Sequence, residues 1–415
     1  MTILYDQFSQ PIPVSGSLKP DIRELATATL RDRWSGYPSS GLTPGRLARI
    51  FRQADAGDVF SQAELFEEME EKDAHLASLF QTRKMAIQGL EWEVAAADSS
   101  AQAMETAAFC RALIQGLSDF DENVLDLLDA LGKGYSIMEI LWEASEGQVG
   151  IRGLRWVHPK KITFWNSLTP RILTDHVPVE GIEPPPFKFV YHRCRARSGY
   201  DTRAGIMRVC AWMYLFKNYA LKDWIGFAEV YGMPLRIGKY EPGATRADRE
   251  ALIHAVRSLG SDAAGIISKS TEIEFIEAQK GSSLNVYESL ASFCDAQMSK
   301  AVLGQTLTSE PGGKGAGSYA LGRVHSEVRQ DILEADCKAL SKTITQQILR
   351  PLIGFNYGWD VPVPRFHFLC EPSEDMKSIA EVYKILSEIG FQFNRDQLAE
   401  RFKLPVGNGD QEKRY

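Results

Sequence analysis

An α+β architecture dominated by helix is expected from this chain, on three observations. Apolar residues recur at helical spacing over four long stretches, 61–89, 204–231, 284–304 and 318–349. Strand-like runs are short and confined to residues 90–192, to a small insert at 235–276 and to a single run at 365–369. The composition, 44% hydrophobic and 24% charged over 415 residues, is that of a folded soluble chain with room for two or three domains.

Residues 1–44 are rich in Pro, Ser and Gly, carry little periodicity, and read as an extended arm. Over 61–89, Leu65, Phe66, Met69, Leu76, Phe80 and Ile87 define one helix, with Ser61 and Glu64 as a capping box and Gly89 as its stop. Its acidic residues, Glu67, Glu68, Glu70, Glu71 and Asp73, are expected on a solvated face, because no polar and apolar groups converge there as an acid–base site requires. Residues 90–94 alternate as a strand, and helices follow at 101–115 and 122–131. A small sheet takes 135–143, 154–159, 161–165 and, beyond the stiff Pro184-Pro185-Pro186, 187–192.

The stretch 204–231 is apolar and aromatic nearly all round. Such a helix must be covered on every side, either in a core or between copies of itself in an oligomer, and both remain open. A strand at 235–240, a helix at 244–259 and strands at 265–268 and 272–276 make an α/β insert. Helix resumes at Leu284, with Tyr287, Leu290, Phe293, Cys294, Met298 and Val302 on one face. A long helix over 318–349, with Val324, Val328, Ile332, Leu340, Ile344 and Ile348, would run roughly 45–50 Å and end at Pro351. A strand at 365–369 and helices at 376–389 and 395–402 close the chain.

Between the last two long helices lies a glycine-rich loop. Gly312, Gly313, Gly315 and Gly317 leave its backbone little conformational preference, Lys314 is the only charge of the tip, and Ser309 and Ser318 flank it. It is not a phosphate cradle: Thr308 stands where a P-loop needs its first Gly, Gly315 where it needs Ser or Thr, and helix rather than strand precedes it.

Acids outnumber bases by 54 to 47, a net charge of −7, which argues against gripping nucleic acid by bulk charge but not against letting it slide past. The six cysteines show no paired or metal-type spacing and read as reduced thiols of a cytoplasmic protein. The seven histidines show no metal-type pairing, and no Ser or Cys sits in a nucleophile elbow. Catalytic residues, metal and cofactor are therefore all expected to be absent. The N-terminal segment has no secretory pattern, and the longest apolar run, 209–216, is far short of the ~20 residues a membrane span needs, so no membrane partner is expected.

Several segments resemble the Mu-like family of phage portal proteins. They are Ala54-Asp55-Ala56-Gly57-Asp58 with 64–73; Phe216-Lys217-Asn218 with Lys222-Asp223-Trp224 and 229–234; Leu303-Gly304-Gln305-Thr306-Leu307-Thr308; and Ala320-Leu321-Gly322-Arg323-Val324-His325. The likeness covers residues 45–405. It implies a portal fold: a wing at 45–200, stem helices at 201–231 and 282–304, a clip at 232–281, a tunnel loop at 305–318, a long wing helix and strand at 319–371, and a short crown and tail at 372–415. It also implies a homo-oligomeric ring, typically of twelve subunits, at the capsid vertex of the virion, through which double-stranded DNA passes during packaging and ejection. The terminase large subunit, the major capsid or scaffold proteins and head-completion or adaptor proteins would be partners, with assembly in the host cytoplasm. On this resemblance Ser309, Gly312, Gly313, Lys314, Gly315, Gly317 and Ser318 face DNA. Trp212, Phe216, Tyr219, Trp224, Phe227 and Tyr231 pack between subunits, and Lys239, Tyr240, Arg246 and Arg249 form the clip's partner surface. The competing readings are a nucleic-acid or nucleotide-acting enzyme with the glycine loop as lid, and a monomeric scaffold for another protein. An enzyme would bury the aromatic stripe within one chain, whereas a ring would bury it between chains.

Overall fold

The structure, a computed structural model, describes residues 4–5, 11–12, 19–25, 40–145, 147–166, 168–194, 196–231, 236–258, 264–268, 283–306, 319–370, 376–393, 398–399 and 401–402. The chain divides into two units, Met1–Phe368 and Leu369–Tyr415.

In the first unit a two-residue ladder pairs β1 (Leu4–Tyr5) with β2 (Pro11–Ile12). Helix α1 (Pro44–Asp55) starts where the Thr43 hydroxyl accepts from Arg46 N. The single helix expected over 61–89 is broken in two, α2 (Phe60–Lys72) and α3 (Ala74–Gln88). The cause is Asp73, whose carboxylate accepts from His75 N and Leu76 N and so nucleates a new N-terminus. The capping box does not form, because the cap position falls at Val59 and Ser61 lies inside α2. Gly89 does stop α3.

Strand β3 (Trp92–Ala95) and helix α4 (Ala101–Gln115) follow. The helix expected at 122–131 is two shorter pieces, α5 (Phe120–Leu127) and α6 (Ala130–Lys133), the latter ended by Gly134 at φ +93°. Strands β4 (Tyr135–Ser145) and β5 (Gln148–Val157) form an antiparallel pair, and β6 (Ile162–Trp165), β7 (Thr169–Thr174) and β8 (Val177–Ile182) form a separate meander. The sequence reading missed β7 and β8, because Pro170 and Pro178 argue against strand. Strand β9 (Phe189–Arg193) completes the order β5-β4-β9. Tyr135, Ile137, Val157, Ile162, Phe164, Ile172 and Phe189 close a core over the two sheets with Ala54 and Val59, and Leu25 of the N-terminal arm packs against it.

Helix α7 (Met207–Tyr231) leads to the insert, in which β10 (Arg236–Tyr240) and β11 (Ala264–Ser268) are parallel and joined across α8 (Arg246–Ser258). The strand expected at 272–276 lies outside the described residues. Helix α9 (Ser283–Leu303) precedes the glycine-rich segment and α10 (Tyr319–Ile344) follows it.

Pro351 does not end the long helix. The chain passes through one π-helical turn, Thr345–Leu349, and continues as α11 (Arg350–Asn356) with Pro351 in its first turn. There the missing N–H costs little, and the widened turn before it makes room for the ring. Strand β12 (Arg365–Phe368) pairs with β3. This helical run also closes both edges of the β5-β4-β9 sheet with amide side chains. Gln347 accepts from Tyr191 N and donates to Tyr191 O on β9. Asn356 accepts from Val149 N and donates to Val149 O on β5. Each amide stands in for a neighbouring strand and removes a pairing edge.

The second unit contains α12 (Met376–Glu388), whose Tyr383 meets the rings of Phe393 and Phe402 edge-on at 4.7 and 5.9 Å.

Candidate channel and interface elements

The root of α7 is set by close backbone approach. Ile206 N donates to Leu131 O at 3.1 Å, and a Cβ at Gly205 would lie 2.2 Å from Gly132 O. Gly134 meets Asp201 O as closely, in a left-handed conformation that only glycine adopts cheaply. From there Met207, Cys210, Ala211, Tyr214 and Leu215 form a buried stripe at i, i+3, i+4, i+7 and i+8. Helix α9 packs along α7 with Cys294, Met298 and Val302 buried.

The aromatic stripe divides between the two readings left open by the sequence. Trp212 is covered within the chain, its ring 6.4 Å from Phe51 of α1, and Tyr219 donates its hydroxyl to Leu42 O at 3.0 Å. Phe227 packs on Tyr287 of α9 at 6.1 Å, and Trp224 is half-buried. Phe216 neighbours Trp212 yet stays partly exposed, and the side chain of Tyr231 lies outside the described residues. Beside them an apolar stripe stands open: Ile225 is 61% exposed, and Val286, Leu290 and Phe293 of α9, at i, i+4 and i+7, are 58%, 42% and 55% exposed. The α9 face expected to be uniform is therefore two faces, one buried and one open.

Lys217 of α7 ties the helices together. Its Nζ lies 3.0 Å from both oxygens of Asp73 and 2.6 Å from Asp295 Oδ1 on α9. Burial works against the ammonium, but the Asp295 and Asp73 carboxylates outweigh it and hold its pKa above the ordinary lysine value. His75 Nε2 reaches Ser299 Oγ at 2.8 Å and Asp295 O at 3.1 Å.

The acidic stretch of α2 is not a solvated face. Glu68 is buried beside Lys72, Asp73 is buried as cap and ion-pair partner, and only Glu71 is fully open. Glu67 meets Lys133 at 3.3 Å and His158 at 2.8 Å, while Asp129 joins Lys133 at 2.7 Å to Lys84, which also reaches Glu70. The expectation failed because, apart from Lys72 within α2, the partners come from α3, α6, α7 and the β5–β6 connection, outside the helix itself. The network is a joint between elements with every charge answered.

Of the DNA-facing candidates, Ser309, Gly312, Gly313, Lys314, Gly315, Gly317 and Ser318 lie outside the described residues. The segment leaves α9 through Gly304, at φ +71°, and Gln305 is buried. In the insert, Arg249 lies over the Tyr240 ring at 4.7 Å, while Lys239 is exposed and Arg246 pairs in solvent with Glu250 at 3.0 Å. Leu252 and Val256 of α8 close on Gly238, where a Cβ would crowd both at 3.0 Å.

Cys110, Cys210 and Cys194 are buried or half-buried free thiols, and burial raises them to about 12, about 12 and about 11, which leaves them inert. Among the described residues no cluster of His, Cys, Asp or Glu could hold a metal ion, and no helix is long and apolar enough to cross a membrane.

Residues 63–404 match the family model described as "Portal protein of Mu bacteriophage". The chain is 34% identical over 420 residues to "Portal protein" of Escherichia phage Mu, covering 98% of this chain and 79% of that one. It is 36% identical over 399 residues to "Mu-like prophage FluMu protein gp29" of Haemophilus influenzae, covering 92% and 74%. A chain from the neck of an empty GTA particle shares the fold, with a TM-score of 0.50 and 13% identity over 92% of this chain and 98% of that one. These matches define the class as a phage portal protein of the capsid vertex, and they do not support the enzyme reading. The chain belongs to the Mu bacteriophage portal family.

Proposed function

We propose that this chain closes with copies of itself into a ring at the capsid vertex of the virion and that double-stranded DNA enters and leaves through the ring's axis. The observation that carries this reading is the open stripe of Ile225, Val286, Leu290 and Phe293 on two long helices. A contiguous apolar surface in water is an interface in waiting. A head-to-tail contact between identical chains, repeated with a rotation that closes, makes a ring. The GTA neck that shares the fold is a structure computed with C6 symmetry.

In this reading 45–200 and 319–371 are wing, α7 and α9 are stem, 232–281 is clip, and 372–415 is a short crown. Twelve chains at −7 each would give a conduit of net negative charge, which suits weak, sequence-blind contact with a moving duplex. Lys314 would supply one passing phosphate contact per subunit. The clip, with Lys239 and Arg246 exposed, would meet the terminase large subunit and later the head-completion proteins, and the wing the capsid or scaffold proteins. Assembly would take place in the host cytoplasm, and ATP hydrolysis would belong to the separate motor. Deleting Gly312–Gly317 tests the loop assignment. Rings should form normally while DNA packaging or retention falls; collapse of assembly itself would make the segment structural and contradict the reading.

A further inference from the structure

The segment 305–318 departs from α9 at a point that neither α9 nor α10 holds alone. Helix α9 ends against the middle of α10: a Cβ at Gly304 would stand 3.0 Å from both Val328 and Ile332. Val328 lies about 14 Å along the α10 axis from Tyr319, at 1.5 Å per residue. What fixes the contact is a side chain from a third helix, Arg83 of α3. Its Nε and Nη2 donate to Asp336 Oδ2 and Oδ1 of α10 at 2.8 and 3.0 Å. Its Nη1 donates to Val302 O at 2.6 Å.

Val302 O is one of the last carbonyls of α9, which have no partner within the helix. Arg83 and Asp336 are 13% and 9% exposed, so the fork is largely shielded from water. A planar guanidinium can hold a carboxylate bidentately and a carbonyl at the same time, whereas a lysine ammonium on a flexible stem cannot fix three acceptors in one geometry. Helix α3 is itself anchored to the rest of α9 through His75, at Asp295 O and Ser299 Oγ. Through these two side chains it is hydrogen-bonded to α9 at two places and to α10 at one.

We propose that Arg83, acting through Asp336 and Val302 O, is the positioning residue of the root from which the DNA-facing segment springs. It sets the register between the end of α9 and the middle of α10, so that every subunit launches the segment from the same place. The functional half of this proposal rests on the portal reading; the positional half does not.

The test uses full-length Arg83→Met, Arg83→Lys and Asp336→Asn. Amide hydrogen exchange is read by mass spectrometry, and DNA retention is read in assembled heads. In Arg83→Met, exchange over 300–306 should rise at least tenfold while β4 and β5 are unchanged. Arg83→Lys should fall between it and the wild type. Asp336→Asn, which keeps the side-chain shape and the Val302 contact, should give a smaller rise and carries the test if Arg83→Met does not fold. Rings should still form, and retention should fall toward that of the Gly312–Gly317 deletion. Unchanged exchange over 300–306 overturns the proposal. Faster exchange with wild-type retention reduces Arg83 to a structural contact and overturns its positioning role. Wild-type protein that forms no ring would strike the portal reading, while the exchange measurement still decides whether Arg83 holds the root.

Discussion

Lys188 and Glu139 meet at 3.3 Å with both side chains wholly buried. The pair is supported by further hydrogen bonds: Lys188 Nζ donates to Ile140 O at 3.0 Å, and Glu139 Oε1 accepts from Leu25 N at 2.6 Å. Removing one partner strands the other, so Lys188→Met should cost about 3–5 kcal/mol in denaturant unfolding, against a few tenths for an exposed lysine such as Lys239. A second residue carries a pH signature. His192, buried beside Thr343 Oγ1 at 2.9 Å, is pushed down by burial to about 4. Between about pH 4 and 6.5 the unfolded chain binds a proton that the folded chain refuses, so this group's contribution is lost as pH falls, by about 3 kcal/mol at most. Asp126 runs the other way. Burial, then Asp129 and Glu122, raise its carboxyl to about 6, so the folded state keeps a proton that the unfolded state loses above about pH 4. The two overlap, and a comparison separates them. His192→Gln should show a smaller gain in stability with rising pH than the wild type over pH 4–6.5, and parallel profiles would contradict the assignment.

In the proposed ring, the helix pair α7–α9 is the element on which assembly would turn. Phe293→Asp places a carboxylate on the open stripe without touching the buried face of Cys294, Met298 and Val302. Its far-UV circular dichroism should match the wild type while mass photometry shows loss of the ring; rings formed at wild-type yield would contradict the interface. The long helices were legible in the sequence because their 3.6-residue periodicity is set by burial along one axis. What was not legible depends on local backbone chemistry that an apolar pattern does not mark, or on contacts across the chain. The break at Asp73 is local capping chemistry inside an unbroken apolar pattern. The passage of Pro351 needs a π turn that no pattern announces, and Pro170 and Pro178 disguised two strands. Gln347 and Asn356 serve as surrogate strands only because the fold brings them to the β9 and β5 edges. At the site, the aromatic residues of α7 were visible, but the split of α9 into a buried and an open face was not. Lys217 in the middle of an apolar helix was the available signal for the joint with Asp73 and Asp295. Arg83 offered none, since both its partners lie more than two hundred residues away.

At the scale of the molecule, the charge network of α2, α3 and α6 and the Arg83 fork join α2, α3, α6, α9 and α10 within one chain. The apolar stripe is left for another. Rigid joints inside the subunit and an open face outside it are what a closed assembly of identical parts requires. The insert β10-α8-β11 stands after α7 and before α9 in the chain, and its Lys239 and Arg246, which the ring reading assigns to docking, are exposed. The central claim is that these chains surround an opening wide enough for duplex DNA. End-on electron micrographs of the purified full-length protein test it most directly. Annular particles with a central stain-filled hole are predicted; solid, solitary particles at every concentration and salt would contradict it.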